Sequence, residues 1–201
     1  MLQLDPLSVC VDDTPVILSK LQDNDILYFS NYDLKNQLLA YYSRHKISVD
    51  ESDMDYRIRC ARKAEVRGHT YKGMTADYAD VSKATFAKVS LTVDQNANRG
   101  TMSEDVNGYG TFFGTTLLFF RHIQNGISRI FCLLEIFLNT SLSVGGVPFG
   151  TKKDTKFYVM DITRLDCAVH RLPYLHDAKK HYYIHQGMVP EDIELGKRKK
   201  I

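Results

Sequence analysis

The stretch Leu117-Leu-Phe-Phe-Arg-His-Ile-Gln-Asn-Gly-Ile-Ser-Arg-Ile-Phe-Cys-Leu-Leu-Glu-Ile-Phe-Leu138 decides the fold class. Ile130, Cys132, Leu134, Ile136 and Leu138 alternate with Arg129, Phe131, Leu133 and Glu135, the period of two that marks a strand. Asn125-Gly126 separates this run from Leu117–Ile123, and both residues tolerate positive φ, so a tight hairpin is predicted. Arg121, His122, Gln124, Asn125, Arg129 and Glu135 interrupt the apolar window. A membrane span would have to bury those groups in hydrocarbon, and none is expected.

Working outward, Phe86–Val93 sets Ala87, Val89, Leu91 and Val93 on one face of a further strand. Tyr56–Val66 reads as the first strand of the β region, with Gly68–Gly73 as a turn. Phe157–Val169 reads as the last strands, with Leu165, Cys167 and Val169 opposite Asp166, Ala168 and His170. The segments Asp94–Gly110 and Ser141–Thr155 carry no periodicity and read as long loops. Before the strands, Leu34, Leu38, Tyr41 and Tyr42 share one helical face, with Ser30 as the cap and Asp33 in capping-box position. The expectation is a mainly β protein, a small bent barrel of about five to seven strands with a short amphipathic N-terminal helix. Residues 1–55 form a helical and irregular segment, 56–185 the barrel, and 186–201 a polar basic tail.

The 201 residues are 44% hydrophobic and 25% charged, ordinary globular values, and the net charge of +2 selects no partner. The distribution of charge says more. Residues 1–55 hold ten acidic against four basic side chains, whereas 56–88 hold eight basic against three acidic. Strand alternation in Tyr56–Arg67 turns Tyr56, Ile58, Cys60 and Val66 inward. Arg57, Arg59, Lys63 and Arg67 then line an outer face able to neutralise phosphates. The opposing reading is a solvated face whose charges answer the acidic first 55 residues.

Other chemistries find little support. Cys10, Cys60, Cys132 and Cys167 form no Cys-x-x-Cys pair and read as small buried hydrophobes in a reducing, intracellular compartment. The first residues lack a basic region followed by an apolar run, so no secretory signal is expected. Lys197–Lys200 reads either as a nuclear import patch or as an ordinary solvated tail. Zinc would require Cys167 and His170 to join His181 and His185. Tyr182-Tyr183-Ile184 favours a strand there, which sets the last two histidines about 13 Å apart at roughly 3.3 Å per residue. No metal or cofactor is expected. Gly108-Tyr-Gly110-Thr-Phe-Phe-Gly114 misses the dinucleotide fingerprint, and neither a phosphate loop nor a Gly-x-Ser-x-Gly elbow occurs. No catalytic set is recognised.

Read in order, Arg67-Gly-His-Thr-Tyr71, Thr85–Val93, Tyr109-Gly-Thr-Phe-Phe-Gly114, Phe131–Phe137 and Phe157–Ile162 with Cys167-Ala-Val-His-Arg-Leu-Pro173 carry a resemblance. This order resembles the non-catalytic β-barrel segment near the C-terminus of proteins encoded by animal and fungal DNA transposons. That segment is similar to bromo-adjacent-homology barrels, which bind chromatin peptides or nucleic acid. The resemblance spans roughly Tyr56–Tyr183. It implies an accessory module that binds nucleic acid or chromatin without catalysis. A module docking a peptide on a strand edge is the alternative, and an enzyme of unrecognised type comes third. No transposase carboxylate set is present, so nuclease activity does not carry over. With no tryptophan in the chain, no methyl-lysine cage can be assigned.

Overall fold

The computed structural model describes residues 7–74, 84–94, 107–137, 140–142, 148–151, 155–174 and 177–185. The chain is mainly β, with two antiparallel sheets. A four-stranded sheet holds β1 (Leu7–Val11), β2 (Thr14–Leu18), β5 (Lys63–Val66) and β6 (His69–Lys72), in that spatial order. The larger sheet holds β3 (Gln22–Asp25), β4 (Arg57–Ala61), β7 (Phe86–Asp94), β8 (Asn107–Gln124) and β9 (Ile127–Phe137). It continues with β10 (Thr140–Leu142), β11 (Pro148–Thr151), β12 (Thr155–Asp161), β13 (Leu165–Tyr174) and β14 (Asp177–His185). Among the described residues the strands form two antiparallel sheets and trace no closed ring. Strands from the first 55 residues join both: β2 pairs with β5, and β3 with β4.

The β8–β9 hairpin forms as the sequence predicts. Asn125 and Gly126 take φ of 52° and 74°, and Gln124 pairs with Ile127. Both central φ values are positive, the geometry whose twist matches the flanking strands. Ile130, Cys132, Leu134 and Ile136 are buried, while Leu138 lies outside the described residues. The alternation is not polar on its second face, however, because Phe131 and Leu133 are buried too. Two different layers cover β9. Phe119, Ile130, Cys132, Leu134 and Ile136 pack with Val16, Leu18, Val66 and Tyr71 of the small sheet. Phe120, Phe131 and Leu133 pack with Ile26, Phe29, Leu34, Leu38, Tyr41 and Tyr42. A sheet covered on both faces loses the polar alternation of a half-exposed one.

The helix is α1 (Leu34–Arg44), and its buried residues are the four that share a face in the sequence. Its start differs from expectation. Ser30 lies inside a 3-10 stretch, Ile26–Tyr32, opened by Asp25, whose carboxylate accepts from the Leu27 N–H at 2.7 Å. Asp33 is the residue before α1, in the left-handed region at φ 56°. Its carboxylate accepts from Asn36 Nδ2 (2.6 Å) and Gln37 Nε2 (3.3 Å) rather than from backbone.

The expected strand Tyr56–Val66 is two strands in two sheets, broken at Arg62. There Ser19 Oγ accepts from the N–H groups of Arg62 and Lys63, both at 3.1 Å, and Gly73 N–H donates to the Arg62 carbonyl at 2.8 Å. Gly73 is needed at this corner, because a Cβ would sit 2.7 Å from the Leu117 carbonyl oxygen. Leu117 is itself the extra residue of a bulge where Thr116 and Leu118 pair with adjacent partners on β9. The bulge marks where β8 changes neighbours, from β7 along its first half to β4 along its second. Of the expected turn Gly68–Gly73, only Gly68 turns, with Arg67, at φ of 51° and 76°, and His69–Lys72 is strand β6. The glycines of Gly108-Tyr-Gly110 sit within β8, and short strands β10 and β11 occupy part of the expected loop Ser141–Thr155.

Candidate functional site

The four cations singled out from the sequence are solvent-accessible but do not share a sheet. Arg57 and Arg59 are on β4; Lys63 is on β5 and Arg67 on the turn after it. Arg57 donates through Nε and Nη2 to the two oxygens of Asp55 (3.1 and 3.0 Å), and its N–H adds a third bond at 2.9 Å. That fork holds the Asp55 carboxyl below the usual carboxylate range. Arg59 Nε lies 3.1 Å from Asp23 Oδ1, its direct neighbour across β3, an ion pair that is not also a hydrogen bond. These two arginines are therefore answered by the acidic first segment of the same chain. Arg67 reaches Asp166 only at 3.8 Å. Lys63 has no ion pair among the described residues and stands directly opposite Lys72 on β6, both exposed.

Sequence reasoning missed a second cationic group around α1. Tyr41 and Tyr42 end the buried face of that helix, and their hydroxyls point to different places. The Tyr42 hydroxyl lies 2.6 Å from His122 Nδ1, and His122 Nε2 lies 2.7 Å from the Asp55 carbonyl oxygen. A carbonyl only accepts, so Nε2 carries the proton. Burial lowers the His122 pKa, which keeps the ring neutral, so Nδ1 accepts from the tyrosine. Gln124 extends the network, donating to the Asp53 carbonyl (2.9 Å) and accepting from the Asp55 N–H (3.0 Å). With His122 at 0% and Tyr42 at 1% exposure, this pair is sealed. It is a tie between helix, linker and sheet rather than a place for substrate.

Tyr41 instead donates to Asp161, with both carboxylate oxygens within reach at 2.7 and 2.8 Å. The pair divides two cavities. One, of about 340 Å³, lies by Arg44, His45, Tyr158 and Arg164; the other, of about 590 Å³, lies by Arg121, Arg129 and the β1 strand. Arg44 stacks on Tyr158 (4.3 Å to the ring centroid) and donates to the Val159 carbonyl at 3.1 Å. His45 stacks on Tyr41 at 4.2 Å, and burial lowers its pKa. Arg121 Nε donates to Ser128 Oγ at 2.7 Å. Among the described residues, Arg44, Arg121, Arg129 and Arg164 form no ion pair, whereas Arg57, Arg59 and Arg67 do. These four arginines are scattered over 120 positions, and only the fold gathers them.

The remaining candidates lie on the paired strands β13 and β14. His181 and His185 are both on strand β14, and His170 is exposed on β13. Among the described residues no three metal-ligating side chains converge. All four cysteines are free; Cys60 and Cys132 are buried and Cys10 is exposed. Burial pushes the Cys132 thiol up, which makes it unreactive. Among the described residues no helix is long and apolar enough to cross a membrane, which says nothing of strands. No family model, curated protein or solved structure gives a significant match to this chain, so the likeness to transposon-encoded segments stands on its short motifs alone.

Proposed function

We propose that this protein is a binding module without catalysis of its own, and that the solvent face of its small sheet takes the phosphate backbone of nucleic acid. One observation carries the reading. Lys63 faces Lys72 directly across β5 and β6, with no ion pair for either among the described residues. Like charges directly opposite each other in a sheet are destabilising. A polyanion laid over them turns that repulsion into attraction and releases its own counterions. Arg67, loosely held to Asp166, extends the same side, while Glu65 is the single acid between them on β5. Arg57 and Arg59 drop out of the phosphate-binding set because Asp55 and Asp23 already neutralise them. An origin in a transposon-encoded accessory segment with a chromatin or DNA role is consistent with this reading, and the motif order quoted above is its support.

The test is a fluorescence-anisotropy titration of labelled duplex DNA at several salt concentrations. Wild type should bind more weakly as salt rises. Changing Lys63, Lys72 and Arg67 together to glutamine should flatten the salt slope by up to about three units, roughly one per lost phosphate contact. Arg57→Gln with Arg59→Gln should leave the slope unchanged. Equal slopes for wild type and the first variant would end the proposal.

A second reading has its own observation. Among the described residues β1 pairs only with β2, and Ile127–Ile130 pair only with β8, and both segments border the 590 Å³ cavity. Two strand edges without a second partner among the described residues, beside Arg121 and Arg129, suit an extended acidic peptide added as a strand. A labelled oligoglutamate peptide that loses binding in Arg129→Glu, but not in the Lys63, Lys72 and Arg67 variant, would favour this reading.

A further inference from the structure

The 340 Å³ cavity between the last turn of α1 and β12 is separate from the small-sheet face. Its two arginines form no ion pair among the described residues. Arg44 is fixed by its stack on Tyr158 and by one hydrogen bond to the Val159 carbonyl, which leaves most of its five N–H donors unengaged. Arg164 ends the 3-10 turn Ile162–Arg164, is exposed, and lines the same cavity. His45 lies flat against Tyr41 at the same wall. Among the described residues the one carboxylate lining the cavity, Asp161, already has both oxygens within hydrogen-bond reach of the Tyr41 hydroxyl and pairs with neither arginine. Two guanidiniums against one engaged carboxylate leave a net positive cavity.

We propose that this cavity binds a small phosphate-bearing molecule of mononucleotide size, its phosphoryl group held between Arg44 and Arg164. Planar guanidinium forks match the oxygens of a phosphoryl group, and a dianion satisfies two of them where a single carboxylate satisfies one. The volume falls at the small end of ligand pockets. Stacked Tyr158 and His45 supply flat surfaces beside the charge, suited to a ligand with a ring attached to its phosphate.

Isothermal titration of the full chain with inorganic pyrophosphate, adenosine 5′-monophosphate and adenosine tests the assignment. The two phosphates should each bind at one site, and adenosine should not bind. Arg44→Gln should weaken binding at least tenfold, and because Arg44 also braces β12 the deciding variant is at Arg164. Arg164 is exposed and makes no such contact, and Arg164→Glu should weaken the phosphates at least tenfold while melting as wild type. Changing Lys63, Lys72 and Arg67 to glutamine should leave these affinities intact, which separates this site from the nucleic-acid face. In an NMR titration, the His45 ring, which faces Asp161, Arg44, Arg164 and Arg129, should take up its proton at higher pH once the phosphate is bound. Adenosine binding as tightly as its monophosphate, or Arg164→Glu binding as wild type, would overturn the proposal.

Discussion

Tyr41 and Tyr42 are neighbours on one helix, yet they end in opposite environments. The Tyr42 hydroxyl is closed into the protein with His122, and every polar atom of that pair faces another protein atom. The Tyr41 hydroxyl meets Asp161 at the wall between two cavities, with arginines on either side that form no ion pair among the described residues. Burial pushes both phenols up, Tyr42 to about 12. The same chemistry therefore serves two ends. A sealed polar pair can only hold structure together, while an open one beside free cations can meet a ligand. Both tyrosines are buried, so it is the partner's exposure, half-buried Asp161 against buried His122, that separates the two pairs.

The largest effect should come from breaking the sealed side. Tyr42→Phe leaves His122 Nδ1 buried without a donor, which should cost about 1–3 kcal/mol of stability by urea denaturation at neutral pH. The same pair should make stability depend on acid. Unfolded, the His122 ring takes a proton near pH 6.5; folded, burial lowers its pKa, so it takes one only in more acidic solution. The unfolded chain thus binds more protons in that window. Stability should be complete above about pH 6.5 and fall below it by up to about 1.4 kcal/mol per unit until the folded ring titrates. His45 is also lowered and acts in the same direction, but it is exposed and contributes less. His122→Gln should remove most of the slope between pH 5 and 7, and His45→Gln little of it. A slope unchanged in His122→Gln would break the contrast between sealed and open.

Opening the other side should cost less. Tyr41→Phe removes a hydrogen bond whose acceptor, Asp161, is only half-buried and can turn to solvent. A loss of about 0.5–1.5 kcal/mol is expected, smaller than for Tyr42→Phe under the same conditions. The variant also frees the Asp161 carboxylate to compete for Arg44 and Arg164. Affinity for pyrophosphate should therefore fall while the fold persists.

What the sequence reveals depends on how far each feature reaches along the chain. The β8–β9 hairpin is legible because Asn125-Gly126 encodes its turn locally and the flanking residues carry the period of two. The buried face of α1 is legible for the same reason. By contrast, Tyr41 meets Asp161 across 120 positions and Tyr42 meets His122 across 80, and nothing near either residue signals the partner. The break at Arg62 depends on Ser19 and Gly73, which no strand pattern around Arg62 reveals. Alternation correctly turned Arg57 and Arg59 outward. It could not show that Asp55 and Asp23 would meet them there, nor that Arg44, Arg121, Arg129 and Arg164 would be left over.

The smallest effect is expected where cations are already answered, on β4. Arg59 is about half-exposed and opposes Asp23 across β3, without hydrogen-bond geometry between them. An exposed ion pair gains little over its hydrated parts, because water screens the attraction and ordering two long side chains costs entropy. Arg59→Gln should therefore lower stability by only about 0.2–1 kcal/mol, and Asp23→Asn by a similar amount. The double variant should add almost nothing beyond either single change, since the first already removes the interaction. Measured beside the Lys63, Lys72 and Arg67 variant, Arg59→Gln should also leave DNA binding unaltered at every salt concentration. If instead Arg59→Gln weakened DNA binding while Asp23→Asn strengthened it, Asp23 would be a competitor for a phosphate site on β4. The answered cations would then belong to the binding face, and the distinction between paired and free arginines would lose its functional meaning.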